Sequence, residues 1–330
     1  MPKSITIESI GALPREACWV LTDGAAGNRR QALALAEALT PSIREIVVSL
    51  RPPWSWFAPR TIPGARLALG RQEENLLPPW PALAIGCGRQ AAWATRQIRR
   101  WSAGACLAVQ ILDPRIDPSH WDLVVAPKHD GLHGDNVLNP LGSLNPIDDG
   151  WLADGRDAFA PFAALPGPRL GVLVGGARRG TPFDAAASDA FLAAVRARHA
   201  VDGGSVLVAA SRRTPDSILP RIREAFAGLP GVVWTGSADG PNPYPGILGW
   251  ADRLIVTPDS VNMLSEACAT GRPVHTFAPV PLRGKLGRFH AELRAAGLLH
   301  DIDAITLEAQ LPLRETDSIA VEVRKHLGLL

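Results

Sequence analysis

A glycine-rich turn with adjacent arginines follows an apolar, strand-like run near the middle of the chain. The run RLGVLV leads into Gly175, Gly176 and Arg178. Glycines let a backbone approach a ligand closely, a following helix directs free N–H groups at negative charge, and arginine suits phosphate oxygens. The absence of G-K-[ST] excludes a Walker A loop. The turn predicts an anion site, although a tight turn with solvated arginines is an equal alternative.

A second loop of the same kind follows the run SVLVAA. It brings Ser211 and Arg212 to the end of a predicted strand. Thr214 is predicted to cap a helix that begins at Pro215, so a helix N-terminus would again face the strand end. A capped helix with surface arginines explains the loop equally well.

A third loop, TPDSVNMLSEACATG, leads from a strand into a helix that carries one acid. Asp259 or Ser260 is predicted to cap this helix, and Ser260 and Asn262, with the first N–H groups, can hold a phosphate or a sugar hydroxyl. Glu266 lies among apolar residues, where a lone solvated acid is disfavoured. Its carboxylate can accept two ribose hydroxyls, as an acid does in dinucleotide-binding folds.

The first half of the chain offers groups that can accept a proton. Asp23 follows the run CWVLT, and His129 and Asp130 lie in the loop APKHDGLHGDN. A carboxylate or imidazole at such a position can take the proton of an attacking hydroxyl. The spacing H-D-x-x-H-x-D matches no zinc motif, so no metal site is predicted.

The stretch RPPWSWFAPR combines aromatic rings with cations. Trp54, Trp56 and Phe57 lie between Arg51 and Arg60. This mixture is favoured at a membrane interface. The alternative is a proline-rich loop whose tryptophans cover the core.

Apolar runs alternate with helical patterns along the whole chain, and the pattern restarts at residue 169. This alternation predicts an α/β fold with two doubly wound, Rossmann-like domains, each built on a parallel sheet, that face a cleft. The expected ranges are 1–165, 166–312 and a C-terminal helix, 313–330, that packs back on the first domain. Ligands of such sheets bind beyond the carboxyl ends of the strands.

The composition limits the class of protein. The 330 residues carry a formal net charge of +2, too small for the basic face of a nucleic-acid-binding protein. No apolar stretch resembles a signal peptide or a spanning helix. The four cysteines are dispersed, which predicts reduced, buried thiols in a cytoplasmic protein.

Several of these motifs together resemble the bacterial branch of the mitochondrial-fission "elongated mitochondria" family, over residues 18–280. The layout is also similar to that of GT-B glycosyltransferases, above all the lipid-sugar and Kdo transferases of envelope synthesis. The motifs are TDGAAGNRRQALALAEAL, APKHD, GGARRG, SRRTP and TPDSVNMLSEACATGRPV.

The resemblance implies a metal-independent transferase that moves a sugar from a nucleotide sugar to an acceptor of the cell envelope. Gly175, Gly176 and Arg212 would contact the diphosphate, and Asp23 would be the base, with His129 and Asp130 as substitutes. This chain lacks the histidine common in the first glycine loop of such enzymes. No cofactor is implied beyond the donor, and the acceptor would be lipid-linked if the aromatic stretch contacts the inner membrane face. A nucleotide-sugar epimerase and a non-catalytic adaptor are the alternatives.

Overall fold

The computed structural model describes residues 18–177, 183–305 and 309–329, which form two compact units. The N-terminal unit contains the described residues up to Pro140 and those from Thr316 onward. The C-terminal unit spans Leu141–Glu315.

Six parallel strands form the sheet of the N-terminal unit, among the residues described there, in the order β2-β1-β3-β4-β5-β6. They are β1 (Cys18–Thr22), β2 (Ile43–Val47), β3 (Leu83–Cys87), β4 (Leu107–Ile111), β5 (Leu123–Val125) and β6 (Val137–Leu138). The α-helices that connect its first four strands in the chain are α1 (Ala26–Leu39), α2 (Trp54–Phe57) and α3 (Arg89–Trp101).

The C-terminal unit repeats this plan, with six parallel strands among its described residues in the order β12-β11-β10-β7-β8-β9. They are β7 (Arg169–Val174), β8 (Ser205–Ala210), β9 (Gly231–Trp234), β10 (Arg253–Val256), β11 (Val274–Thr276) and β12 (His300–Asp301). The helices are α4 (Asp149–Ala158), α5 (Ala185–Asp202), α6 (Leu219–Ala225), α7 (Tyr244–Trp250), α8 (Val261–Ala269) and α9 (Gly284–Ala295).

The central strands of both sheets are buried along their whole length. Every residue of β1, β3, β8 and β10 is buried. Apolar runs without alternation are typical of parallel strands whose two faces are both covered by helices. The predicted fold class, two doubly wound α/β units, is confirmed.

Helix α4 explains why the units divide earlier than the sequence suggested. The expected boundary followed residue 165, but α4 packs on α7 in the core of the C-terminal unit. The indole Nε1 of Trp250 donates to the Arg156 carbonyl at 3.2 Å, and a Cβ on Gly155 would lie 2.6 Å from the Pro245 carbonyl oxygen. The second unit begins at Leu141, ahead of α4, and ends at Glu315.

The last helix, α10 (Thr316–Leu327), packs on α1 of the N-terminal unit, where the sequence places it. Val323 is fully buried. Arg324 Nη2 donates to the carbonyl oxygens of Ala38 and Leu39 at 3.0 Å. A cation that satisfies the last carbonyls of a helix also interacts favourably with its dipole.

The four cysteines are buried thiols, as predicted. No helix in the described part of the chain has both the length and the apolar character needed to cross a bilayer.

Candidate functional site at the carboxyl edge of the C-terminal sheet

Strands β7 and β10 are neighbours at the point where the order of the C-terminal sheet reverses. From β7 the chain continues to β8 on one side, whereas β10 lies on the other side. Ligands of doubly wound sheets bind at such switch points, beyond the carboxyl ends of the strands. The loops that leave β7, β8 and β10 carry most of the predicted binding residues of this unit.

The loop after β10 holds the glycine turn after β7 through a network of hydrogen bonds. The Gly175 N–H donates to Thr257 Oγ1 at 2.7 Å, and the Gly176 N–H donates to Asp259 Oδ2 at 3.1 Å. The Thr257 hydroxyl donates to Asp259 Oδ1 at 2.7 Å. Asp259 is 2% exposed, so its carboxylate is an internal acceptor that fixes the glycine turn.

The two glycines are required by the protein's own packing. A Cβ on Gly175 would lie 2.2 Å from Asp259 Oδ1, and one on Gly176 would lie 2.0 Å from the Arg213 carbonyl oxygen. Both distances are far shorter than any van der Waals contact. The close approach that the sequence suggested therefore exists, and the groups that approach are a carboxylate and a backbone carbonyl of this chain.

Burial and the hydrogen-bond partners of Asp259 shift its pKa in opposite directions. Burial raises the pKa of Asp259, while the bonds from Thr257 and Gly176 and the nearby Arg213 lower it. The Nη2 atom of Arg213, a half-exposed side chain, lies 3.3 Å from Asp259 Oδ2. Three donors thus surround one buried carboxylate.

The predicted cap at Thr214 is wrong. Helix α6 begins at Leu219 with Ile218 as its cap residue. The Thr214 hydroxyl instead donates to the carbonyl oxygens of Val174 and Gly175, at 3.1 and 2.5 Å, and accepts from the Ser211 N–H at 3.0 Å. Its role is to join the ends of β7 and β8, which no local signal in the sequence reveals.

Ser260 is the cap of helix α8, one of the two residues the sequence offered. Its Oγ accepts from the Met263 N–H at 3.3 Å. Because α8 starts directly after the loop of β10, its N-terminal end lies at the switch point. First-turn N–H groups and the helix dipole favour an anion there. Asn262 lies half-buried in the same turn.

Glu266 is buried two turns into α8, as its apolar neighbours predicted. It is 3% exposed, and the hydroxyl of Tyr244, the first residue of α7, donates to its Oε2. Tyr244 is the chain's single tyrosine. Its contact with Glu266 was missed because the two residues are 22 positions apart and belong to different helices.

The arginines differ from the expectation in detail. Arg178 lies outside the described residues. Arg212 is exposed, and no ion pair of its side chain is found within the described ranges. The adjacent Arg213 is the arginine that reaches the switch point, through Asp259. Sequence alone could not separate two consecutive arginines that point in different directions.

Asp23 lies at the corresponding switch point of the N-terminal sheet, between β1 and β3. Asn28 Nδ2 donates to both of its carboxylate oxygens, at 3.0 and 3.2 Å, and the Ala25 N–H donates to Oδ1 at 3.1 Å. Gly88 has a φ of +96°, and a Cβ there would lie 2.7 Å from Asn28 Nδ2. The exposed carboxylate is thus fixed in orientation yet open to solvent.

His129 and Asp130 occupy a different part of the N-terminal edge. They follow β5, three strand spacings from β1 in the sheet, so the strand ends are roughly 14 Å apart. His129 is 5% exposed, and Asp130 Oδ2 accepts from the Asp113 N–H at 3.3 Å. The structure therefore does not bring these two residues together with Asp23.

The family model described as mitochondrial fission ELM1 matches residues 26–327. The chain belongs to this family. The match covers both units and helix α10, so the predicted family is confirmed for nearly the whole chain.

Two proteins of similar sequence each align with about three quarters or more of this chain. The mitochondrial fission protein ELM1 of Arabidopsis thaliana is 29% identical over 281 residues, which cover 75% of this chain and 64% of the plant protein. This family member therefore spans just under two thirds of its plant relative. The uncharacterized protein RP120 of Rickettsia prowazekii is 25% identical over 304 residues, with coverage of 79% and 83%.

Among solved structures, the family member is similar to the UDP-GlcNAc 2-epimerase of Methanocaldococcus jannaschii, which was crystallised with UDP-GlcNAc and UDP. The TM-score is 0.56 at 12% identity, with coverage of 94% of this chain and 98% of the epimerase. An identity this low shows the fold alone. That fold is the GT-B type, which glycosyltransferases and epimerases share.

Proposed function

We propose that the chain binds a nucleotide sugar at the carboxyl edge of its C-terminal sheet and transfers the sugar to an acceptor of the cell envelope. The observation that carries the proposal is the convergence of the Ser260-capped N-terminus of α8, the buried Glu266 and the glycine turn at one switch point. The epimerase with the same fold binds UDP and UDP-GlcNAc, which supports a uridine nucleotide as the first ligand to test.

The diphosphate is assigned to the N-terminus of α8. Its first-turn N–H groups and the Ser260 hydroxyl supply donors, and the helix dipole adds a partial positive charge. The negative charge of Asp259 does not oppose this assignment strongly. The carboxylate already accepts from Gly176, Thr257 and Arg213 and is directed into the protein.

Glu266 is assigned to the ribose hydroxyls. A carboxylate offers about four acceptor sites, and a buried one loses little to competing water. Tyr244 holds the Glu266 side chain through its hydroxyl, so the acceptor is oriented before the ligand arrives.

Transfer requires two charge changes. The bond between the sugar and the diphosphate breaks, and the negative charge that develops on the leaving phosphate is stabilised by the α8 N–H groups and by arginine. The acceptor hydroxyl loses a proton as it attacks the anomeric carbon. Asp23 is the proposed proton acceptor because its carboxylate is exposed and oriented by Asn28, whereas His129 is buried.

Calorimetric titration with UDP and UDP-linked sugars tests the binding step. Glu266→Gln should weaken binding at least tenfold, because about 1.4 kcal/mol or more of charge-assisted hydrogen bonding is lost. Glu224→Gln, which alters an exposed glutamate on α6 of the same unit, is the matched control. Equal affinity of the Glu266 variant and the parent would remove the ribose assignment.

The transfer step needs a separate measurement. Asp23→Asn should leave nucleotide affinity unchanged and slow release of the nucleoside diphosphate in the presence of acceptor. An epimerase would convert its substrate without acceptor, so conversion of the donor alone would replace the transferase by that alternative.

A non-catalytic adaptor is the second candidate, and one observation favours it. The glycine turn that would approach a diphosphate is filled by Asp259 and the Arg213 carbonyl. A ligand at 100 times its Kd stabilises a protein by about 2.7 kcal/mol, which shifts Tm by several degrees. If no UDP-, GDP-, CMP- or ADP-linked sugar shifts Tm, the transferase proposal fails and the adaptor remains.

A further inference from the structure

The segment 51–77 of the N-terminal unit exposes large apolar side chains that do not serve its core. Trp56 is 70% exposed, Phe57 48% and Leu67 67%. Trp54, in contrast, is half-buried, packs against the core of this unit and donates from Nε1 to the Pro63 carbonyl at 3.0 Å. A Cβ on Gly64 would contact both Trp54 and Leu67, at 3.2 and 3.4 Å, so these side chains belong to one surface.

This segment runs along helix α3. Arg89, the first residue of α3, donates from Nη2 to the Ser55 carbonyl at 3.1 Å. Two turns further along α3, Arg96 Nη1 donates to the Pro59 carbonyl at 3.4 Å. The axial rise from Arg89 to Arg100 is about 16 Å, so the exposed aromatics and the far end of α3 form one continuous face.

An open depression of about 410 Å³ lies at that far end. It is lined by residues 61–65 and by Gln97, Arg100 and Trp101 of α3. Gln97 is 1% exposed, and its Nε2 has no hydrogen-bond acceptor among the described residues. Arg100 is exposed at the rim. A buried amide donor without an acceptor and an adjacent guanidinium suit an anion with several oxygens.

The surface is also strongly cationic. Residues 51–101 contain eight arginines against two glutamates, a net charge of +6, while the whole chain carries +2. Arg99 is neutralised by Asp122 and Arg66 by Glu73.

Arg96 and Arg100 belong to the six arginines of this stretch for which no ion pair is found within the described ranges. Neither makes an ion pair within the described ranges, although they are four residues apart on one helix, where like charges repel. The buried Arg96 Nε also has no acceptor there, and burial together with Arg100 lowers the pKa of Arg96. Carboxylates therefore balance Arg99 and Arg66 but leave the positive charge of Arg96 and Arg100 without an ion pair among the described residues.

We propose that this face docks on an anionic phospholipid bilayer, with a lipid headgroup phosphate in the depression of Gln97 and Arg100. Trp56 and Phe57 insert at the level of the headgroups, where aromatic rings are favoured, and the arginines contact anionic lipids. The excess positive charge selects an anionic surface over a neutral one. The proposal does not depend on the nucleotide-sugar assignment, which concerns the other unit.

Vesicle flotation with the full chain tests the proposal. Vesicles of phosphatidylcholine alone are compared with vesicles that contain roughly one-third phosphatidylglycerol. The parent should float with the anionic vesicles and remain behind with the neutral ones, and added salt should weaken binding. Trp56→Ser/Phe57→Ser should lower the partition coefficient about tenfold or more. Arg100→Gln should lower it about fivefold.

Matched controls come from the C-terminal unit. Val201→Ser removes a valine that is 81% exposed, and Arg272→Gln removes an exposed arginine; both should float like the parent. No flotation of the parent, or equal flotation on both vesicle types, would overturn the proposal. If Arg100→Gln and Gln97→Leu float like the parent while the aromatic variant does not, the headgroup site is rejected.

Discussion

Gly176→Ala tests whether the glycine turn serves the protein's packing or a ligand. An alanine Cβ would lie 2.0 Å from the Arg213 carbonyl oxygen and 2.4 Å from its carbon. Ordinary contacts begin at 3.4 Å, so the two backbone segments would have to separate by 1.4 Å. That movement would break the bond from the Gly176 N–H to Asp259.

The expected cost has two parts. Overpacking of a tight site costs about 1–3 kcal/mol, and loss of a hydrogen bond to a charged group costs about 1.5–3 kcal/mol. A total of about 4 kcal/mol corresponds to a decrease in Tm of roughly 8–16 °C for a unit of this size.

Scanning calorimetry measures this decrease, with Gly236→Ala as the control. Gly236 belongs to the same unit, and a Cβ there would meet nothing within 4 Å. A Gly176→Ala transition within about 2 °C of the parent, below the shift expected for 1 kcal/mol, would refute the packing argument. If that variant were stable and had lost nucleotide binding, the glycine would instead be explained by the ligand.

Three further predictions concern buried charge in the C-terminal unit. Because burial raises the pKa of Asp259 above its ordinary value of 3.8, the folded state holds its proton to higher pH, and the parent loses stability as pH rises from that value through the raised pKa. Urea titrations should therefore show the free energy of unfolding of Asp259→Asn increasing relative to that of the parent as pH rises. A difference between the two proteins that does not change with pH would contradict this. Burial lowers the pKa of His290 to about 4, so parental stability should fall by about 1.4 kcal/mol per pH unit between pH 6.5 and 4, and His290→Gln should show a smaller fall in the same urea series. Asp202→Asn removes the carboxylate 2.6 Å from the buried Arg253 and should cost about 3 kcal/mol of unfolding free energy, whereas Asp189→Asn, in an exposed pair, should cost less than about 1 kcal/mol.

The strands were predictable because a strand that is buried on both faces is a continuous apolar run in the sequence. Runs such as SVLVAA and LAIGC contain no charged residue. The carboxyl ends of these runs then follow from the parallel order, which is why Ser260 and Glu266 were found near the switch point. Helix α10 was placed correctly because an amphipathic, capped helix needs an apolar surface to cover.

The contacts inside the candidate site were not predictable in the same way. Gly176 and Asp259 are 83 residues apart, and they meet only because β10 lies beside β7 in the sheet. Thr214 has the residue type of a helix cap, yet tertiary hydrogen bonds determine its role. Side-chain partners at a sheet edge depend on strand order, and strand order is a property of the complete fold.

Helix α10 has a consequence for synthesis on the ribosome. The C-terminal unit is continuous in sequence and can fold as soon as Glu315 has emerged. The N-terminal unit is synthesised earlier. Its helix α1 lacks both the packing of α10 and the guanidinium that binds the last carbonyls of α1 until Arg324 leaves the exit tunnel. The part of the protein that is translated first is therefore completed last, and until then the face of α1 that α10 covers stays exposed.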